Sequence, residues 1–161
     1  ADLGRGRWGR IGVVIVDHGS RRQESNSLLT AFVNLFRQKY PDYAFVSDAH
    51  MELARPSIAD AFEMCVNRGC QTVVISPYFL SPGRHWHEDI PRLASEAASR
   101  YDGVKYIVTA PLGMHDLLAQ LLEIRINDCL DHSAGLRGEC DMCRYSSDVC
   151  AVSQTAGAPL P

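Results

Sequence analysis

No apolar run in the 161 residues approaches the ~18 needed to cross a membrane. Charge of neither sign dominates: 16 Lys and Arg stand against 19 Asp and Glu, so bulk charge marks no nucleic-acid footprint. No H-E-x-x-H or Walker A pattern occurs, and no glycine-rich fingerprint joins a strand to a helix. Zincin, P-loop and Rossmann dinucleotide readings therefore fail. The opening residues, ADLGRGRWGR, hold no apolar signal-peptide core, so secretion is not expected and a processed or shortened chain is. With 46% hydrophobic and 22% charged residues, whole-chain disorder, collagen and coiled coil are excluded, and the length suits one domain. Cysteine is the exception to this ordinary composition. There are six, and four of them (Cys129, Cys140, Cys143, Cys150) fall in the last third.

From Ile11 the pattern is regular. The β-branched run IGVVIV (11–16) predicts a strand buried on both faces. Leu28, Leu29, Phe32, Val33 and Phe36 give 23–39 a helical stripe. A second strand is expected over 43–51, then a helix opened by Pro56 and ended by Gly69. TVVISP (72–77) predicts the third strand, Pro91 the first turn of another helix, and 104–110 the fourth strand; Leu117, Leu118, Leu121, Leu122 and Ile124 mark a last helix over 115–130. Strands alternating with helices imply βαβ crossovers. The expected fold is a three-layer, flavodoxin-like α/β domain with a four-stranded parallel sheet over 11–130. A cysteine-rich segment follows over 131–150, and 1–10 and 151–161 are expected to be flexible.

Ligands of open α/β sheets bind beyond the carboxyl ends of the strands. Those ends run into Asp17-His18-Gly19-Ser20-Arg21-Arg22, His50-Met51-Glu52, the segment 77–87 and 111–115, which together hold five of the six histidines. His18 follows a buried strand, and Gly19 lets the chain turn behind it; such an imidazole suits a base or a metal ligand, or else caps the next turn. Gly19 to Arg22 could instead cradle an anion, but a histidine phosphatase would place Arg where Asp17 stands. Glu52 can bind protons or metal, or be a solvated carboxylate. His85 and His87 are expected in a long loop stiffened by Pro82 and hinged at Gly83, flanking Trp86 as an aromatic wall. In an extended segment they point apart, so at most one joins His18 on a metal. His50 is expected to face the core and His115 to start the last helix. Arg21, Arg22, Arg55, Arg84 and Arg92 suit a polycarboxylated substrate, each guanidinium holding a carboxylate bidentately. Nitrogen and carboxylate ligands suit a divalent first-row metal.

Four segments, VDHGSRRQESN (16–26), MELARPSIADA (51–61), PYFLSPGRHWHEDIPRL (77–93) and APLGMHDLL (110–118), closely resemble the small class II tetrapyrrole chelatases. The resemblance implies insertion of Fe²⁺ into sirohydrochlorin to form sirohaem, with His18 and His85 as catalytic and metal-binding residues and Glu52 as third member. It also implies a homodimer whose modules face each other across the cleft, and a chloroplast location. Cys65 and Cys70 are expected to be ordinary buried thiols. The spacing C-x10-C-x2-C-x6-C leaves zinc, an iron–sulfur cluster or unligated thiols open. Plant chelatases of this type carry a C-terminal [2Fe–2S] cluster, which the resemblance extends to Cys129, Cys140, Cys143 and Cys150. The competing readings are a non-enzymatic metal or tetrapyrrole carrier, or a cobalt or nickel chelatase acting on a related ring.

Overall fold

The computed structural model describes residues 8–145 and Cys150. The expected flexibility of 1–10 and 151–161 falls mostly outside them. Residues 8–10 are tied down: the Trp8 carbonyl accepts from Thr72 Oγ1 at 2.6 Å, and the Arg10 amide donates to Gln71 Oε1. The chain divides into two compact units, Ala1–Gly113 and Met114–Pro161.

The first unit holds β1 (Ile11–Asp17), α1 (Gln23–Lys39), β2 (Phe45–His50), α2 (Ile58–Asn67), β3 (Thr72–Pro77), a π-helical turn (His85–Asp89), α3 (Ile90–Ala98) and β4 (Lys105–Val108). All pairings are parallel in the order β2-β1-β3-β4. This is the expected flavodoxin-like arrangement. Placing β1 at the centre explains its unbroken apolar run, since a strand with helices on both faces has no wet side.

Val14, Val16, Val73 and Ile75 point into one core with Phe62 of α2 and Ile90 and Ala94 of α3. Val13, Ile15 and Val46 meet Leu29 and Val33 of α1 on the other face. Truncating the fully buried Phe62 to Ala would cost about 3–5 kcal/mol. Gly12 leaves space for the Cys65 and Cys70 thiols, from which a Cβ would stand 2.8 and 2.9 Å away. Both cysteines are buried and unbridged, as expected.

Three local expectations change. Pro56 does not open α2; it precedes the N-cap Ser57, whose hydroxyl accepts from the Asp60 amide at 3.2 Å while Asp60 Oδ2 accepts from the Ser57 amide at 2.8 Å. That capping box fixes the helix start, because it satisfies two otherwise orphaned donors. β4 is shorter than 104–110, and three of its four residues are exposed. The supposed loop at His85 and His87 is helical. The amides of Trp86 and His87 both donate to the Gly83 carbonyl, and Ile90 closes the wide turn onto the His85 carbonyl.

The second unit contains α4 (Asp116–Ser133) and α5 (Asp141–Tyr145). His115 is the N-cap of α4, its Nδ1 accepting from the Leu117 amide, which agrees with the structural role expected of it. Arg125 pairs with both carboxylate oxygens of Asp141, and Arg137 with Asp128.

Candidate functional site

The carboxyl end of β1 is locked before any ligand is considered. Asp17 Oδ1 accepts from the Gly19 amide at 2.9 Å and lies 2.5 Å from Nδ1 of His50, the last residue of β2. His50 is 1% exposed, as its expected core position requires. Gly19 has φ +83, and a Cβ there would stand 1.9 Å from the Glu52 carbonyl oxygen. Glycine is needed for the turn and for the close approach of the two loops. Ser20 is held in turn by Asn26: its amide donates to Asn26 Oδ1, and Asn26 Nδ2 returns a bond to the Ser20 carbonyl, both at 2.9 Å. Asn26 is buried in line with Leu29 and Val33 of α1. Its position on the apolar stripe was the available signal for a structural amide, and residue-type reasoning passed over it.

These constraints present the exposed His18 ring above the sheet. The ring stacks on Phe79, 4.3 Å between centroids with planes 21° apart, and Phe79 is 7% exposed. The His85 ring meets it edge-on, at 4.9 Å and 79°. His85 reaches this place because the π-helical turn lifts it from the end of β3. Nδ1 of His85 is 2.7 Å from Asp89 Oδ2. A carboxylate partner holds the proton on Nδ1 and leaves Nε2 as the lone-pair nitrogen, the form a metal ligand or proton acceptor needs. Trp86 pins the turn by donating from Nε1 to the Thr109 carbonyl at 2.9 Å. His87 lies against Trp86, 4.4 Å between ring centroids, rather than in the His18–His85 pair.

Glu52 belongs to the same rim. Its amide donates to the His18 carbonyl at 3.1 Å, and its own carbonyl accepts from Ala54 across a three-residue turn with Leu53 at φ 66. Such a γ-turn is strained for a leucine, and strain of this kind gathers at functional sites. The Glu52 side chain is exposed. The structure thus brings His18 and His85 together and holds Glu52 beside them through the backbone. Among the described residues, no three His, Cys, Asp or Glu side chains are gathered around one point as a bound metal ion would require.

Arg21, Arg22 and Arg84 are exposed on the rim. Arg55 is engaged with Asp60 Oδ2 at 2.5 Å, a hydrogen bond that raises the guanidinium pKa and lowers that of the carboxyl. Arg92 pairs with Glu96 along α3. A cavity of about 360 Å³, lined by residues including Trp8, Val13, Phe36, Val74 and Ile107, shares no residue with the histidine pair.

In the second unit, Cys140 and Cys150 are buried, and Cys129 and Cys143 half-buried. Cys143 shares hydrogen bonds with the Cys150 and Cys140 thiols, which push its pKa up to about 12. Cys140 is shifted the other way, chiefly because the Cys143 amide donates to it. Both Cys140 and Cys129 act electrostatically on Arg125. Cys143 is therefore paired with both Cys140 and Cys150, and a guanidinium lies within electrostatic range of Cys140 and Cys129.

The chain is similar to several known proteins. The chain is 54% identical over 132 residues to the chloroplastic sirohydrochlorin ferrochelatase of Arabidopsis thaliana, covering 82% of this chain and 58% of that one. Two solved structures superpose on it. The sirohydrochlorin chelatase SirB of Bacillus subtilis subspecies spizizenii in complex with cobalt gives a TM-score of 0.69 at 26% identity, over 74% of this chain and 50% of that one. SirB from Bacillus subtilis with Fe³⁺ gives 0.68 at 26% identity, over 74% and 47%. The chain thus spans about half the length of these relatives. The CbiX family model matches residues 12–129, from the second residue of β1 into α4, and the chain belongs to that family.

Proposed function

We propose that this chain is a sirohydrochlorin ferrochelatase, inserting Fe²⁺ into sirohydrochlorin with release of two protons. The observation that carries the reading is the edge-on pairing of His18 and His85 at the carboxyl end of the sheet, beside Glu52. The relatives named above act on the same macrocycle or hold cobalt or iron.

The reaction asks for two things of the protein. A hydrated Fe²⁺ must shed waters without being bound so fully that it cannot leave, and two pyrrole N–H protons must find acceptors. Two imidazoles with an open edge meet the first demand, since incomplete nitrogen ligation leaves positions for the ring nitrogens. They meet the second because neutral imidazole accepts protons near neutral pH. Glu52 supplies a third oxygen ligand or proton acceptor. Arg21, Arg22, Arg55 and Arg84 bind the peripheral carboxylates of the macrocycle, where a planar fork matches a carboxylate.

The tail supports a [2Fe–2S] cluster held by Cys129, Cys140, Cys143 and Cys150. The donor chemistry fits, since Cys143 is already paired with both Cys140 and Cys150 and the N–H donor on Cys140 favours its thiolate. Bound there, the cluster would supply a one-electron redox couple. Metal insertion has no redox step, so its role is structural or regulatory. Visible absorption of protein purified without oxygen tests this, and a colourless, zinc-loaded sample overturns it.

The functional unit is a homodimer. This chain aligns with half of the longer SirB chain, and each of its units exposes apolar surface: the sheet around Val74 and Ile107 in one, Leu117, Leu122 and Ile124 in the other. An active species that sediments as a monomer would contradict this. The plant relative is chloroplastic, and the same location is proposed here.

The deciding assay is anaerobic insertion with sirohydrochlorin and Fe²⁺, Co²⁺ or Ni²⁺. Multiple turnovers with Fe²⁺, lost in His18→Ala, are expected. Binding without turnover would make the protein a metal or tetrapyrrole carrier, and preference for Co²⁺ or Ni²⁺ would reassign the metal.

A further inference from the structure

We infer that Asp89 is a positioning residue for metal insertion: its carboxylate fixes the ring orientation and tautomer of His85. The inference rests on the proposal that His85 handles the metal. Asp89 is the last residue of the π-helical turn and has helical backbone angles (φ -70, ψ -50); the turn runs directly into α3, and the Asp89 side chain makes no bond to the start of that helix. Its Oδ2 turns back to Nδ1 of His85 at 2.7 Å instead. The imidazole is thus the partner of this carboxylate, and the bond closes across one wide turn of backbone.

The surroundings make the pair stiff. His85 and Asp89 are the first and last residues of the π-helical turn, so one wide turn of backbone separates them. That turn is anchored at its far end by Ile90, which is fully buried, and at its near end by two amides on the Gly83 carbonyl. Trp86 adds a third anchor through the Thr109 carbonyl. With the backbone held, the remaining freedom of His85 is in its side-chain torsions, and the Asp89 bond removes most of it. The His18 ring is oriented differently, by stacking on Phe79. One member of the pair is therefore set by packing and the other by a carboxylate.

Carboxylate partners of metal-binding histidines typically contribute about 10–100-fold to metal affinity or activity. Co²⁺ alone is the probe for the free enzyme, followed by its visible absorption, and Fe²⁺ insertion is followed separately. Asp89→Ala is expected to weaken Co²⁺ binding and lower kcat for insertion, each by about 10–100-fold, while KM for sirohydrochlorin stays within about twofold. A purely structural role would lower Tm without that split. Asp89→Asn, nearly isosteric and still able to accept a bond, is expected to fall between wild type and Asp89→Ala in Co²⁺ affinity. It stands as the measurement should Asp89→Ala fail to fold. Wild-type Co²⁺ affinity and kcat in the folded variants, with His85→Ala inactive, would overturn the role of Asp89 alone. An active His85→Ala would instead overturn the site on which the inference depends.

Discussion

Nδ1 of His50 and Oδ1 of Asp17 stand 2.5 Å apart, joining the last residues of two neighbouring strands. The same oxygen accepts from the Gly19 amide, so one carboxylate sets the height and direction of the turn that carries His18. His50 is almost fully buried, and its ring nitrogen would be left without a partner if the carboxylate were removed. Asp17→Ala is therefore expected to cost about 1–3 kcal/mol in urea unfolding and to lower insertion activity as the His18 turn relaxes. Unchanged stability and activity would show that the pair does not hold the loop.

Two glycines with similar backbone angles separate strain from contact. Gly19 has φ +83 with the Glu52 carbonyl in the way of a Cβ, whereas Gly103 has φ +77 and nothing within 4 Å. Gly103→Ala should cost only the left-handed penalty of about 1–2 kcal/mol. Gly19→Ala should cost clearly more, and should also impair insertion by driving apart the loops of His18 and Glu52. Equal losses of stability in the two variants would argue against the close approach.

Arg55 and Ser57 sit on the same turn with separable duties. Ser57→Ala removes half of the capping box and should destabilise by about 1 kcal/mol. The Arg55–Asp60 pair is largely solvent-exposed on the arginine side, where water screens it, so Arg55→Ala should leave stability close to wild type. If Arg55 binds a substrate carboxylate, the same variant raises KM for sirohydrochlorin while leaving kcat nearly intact. An unchanged KM would remove Arg55 from the substrate-binding group.

Burial, with the nearby Cys70 adding to it, pushes the Cys65 thiol up to about 12. The unfolded chain then loses this proton at lower pH than the folded chain does. The unfolded state binds fewer protons from about pH 9 to 12, so stability falls as pH rises through that window. The slope from this group is at most about 1.4 kcal/mol per pH unit. Urea unfolding at several pH values should show the decline, and Cys65→Ala should flatten it despite lower stability at pH 8. A slope unaltered by the substitution would assign it to other groups.

Much of the architecture was readable from residue periodicity. The runs at 11–16 and 72–77 lie in strands with nearly those limits, and the stripes at 23–39 and 115–130 lie in α1 and α4. Burial imprints itself locally: a two-faced central strand is continuously apolar, and a packed helix repeats every three to four residues. The same logic placed His18, Glu52 and His85 at strand ends and identified the cysteine-rich segment. The π-helical turn was not readable, because Pro82 and Gly83 signal a loop equally well and the extra residue of the turn leaves no periodicity of its own. Neither was the service of Asp89, since its bond to His85 closes across that same wide turn.

By itself, then, the sequence determined most of the strands and helices and the sheet edge at which His18, Glu52 and His85 stand. Which residues meet there was decided by the tertiary structure. The order β2-β1-β3-β4 sets the β1 turn between the loops after β2 and β3, so that Asp17 reaches His50 and His18 reaches His85. Those contacts join residues far apart in the chain. They depend on strand order, on a missing Cβ at Gly19 and on the lift of one wide helical turn, none of which a local pattern encodes.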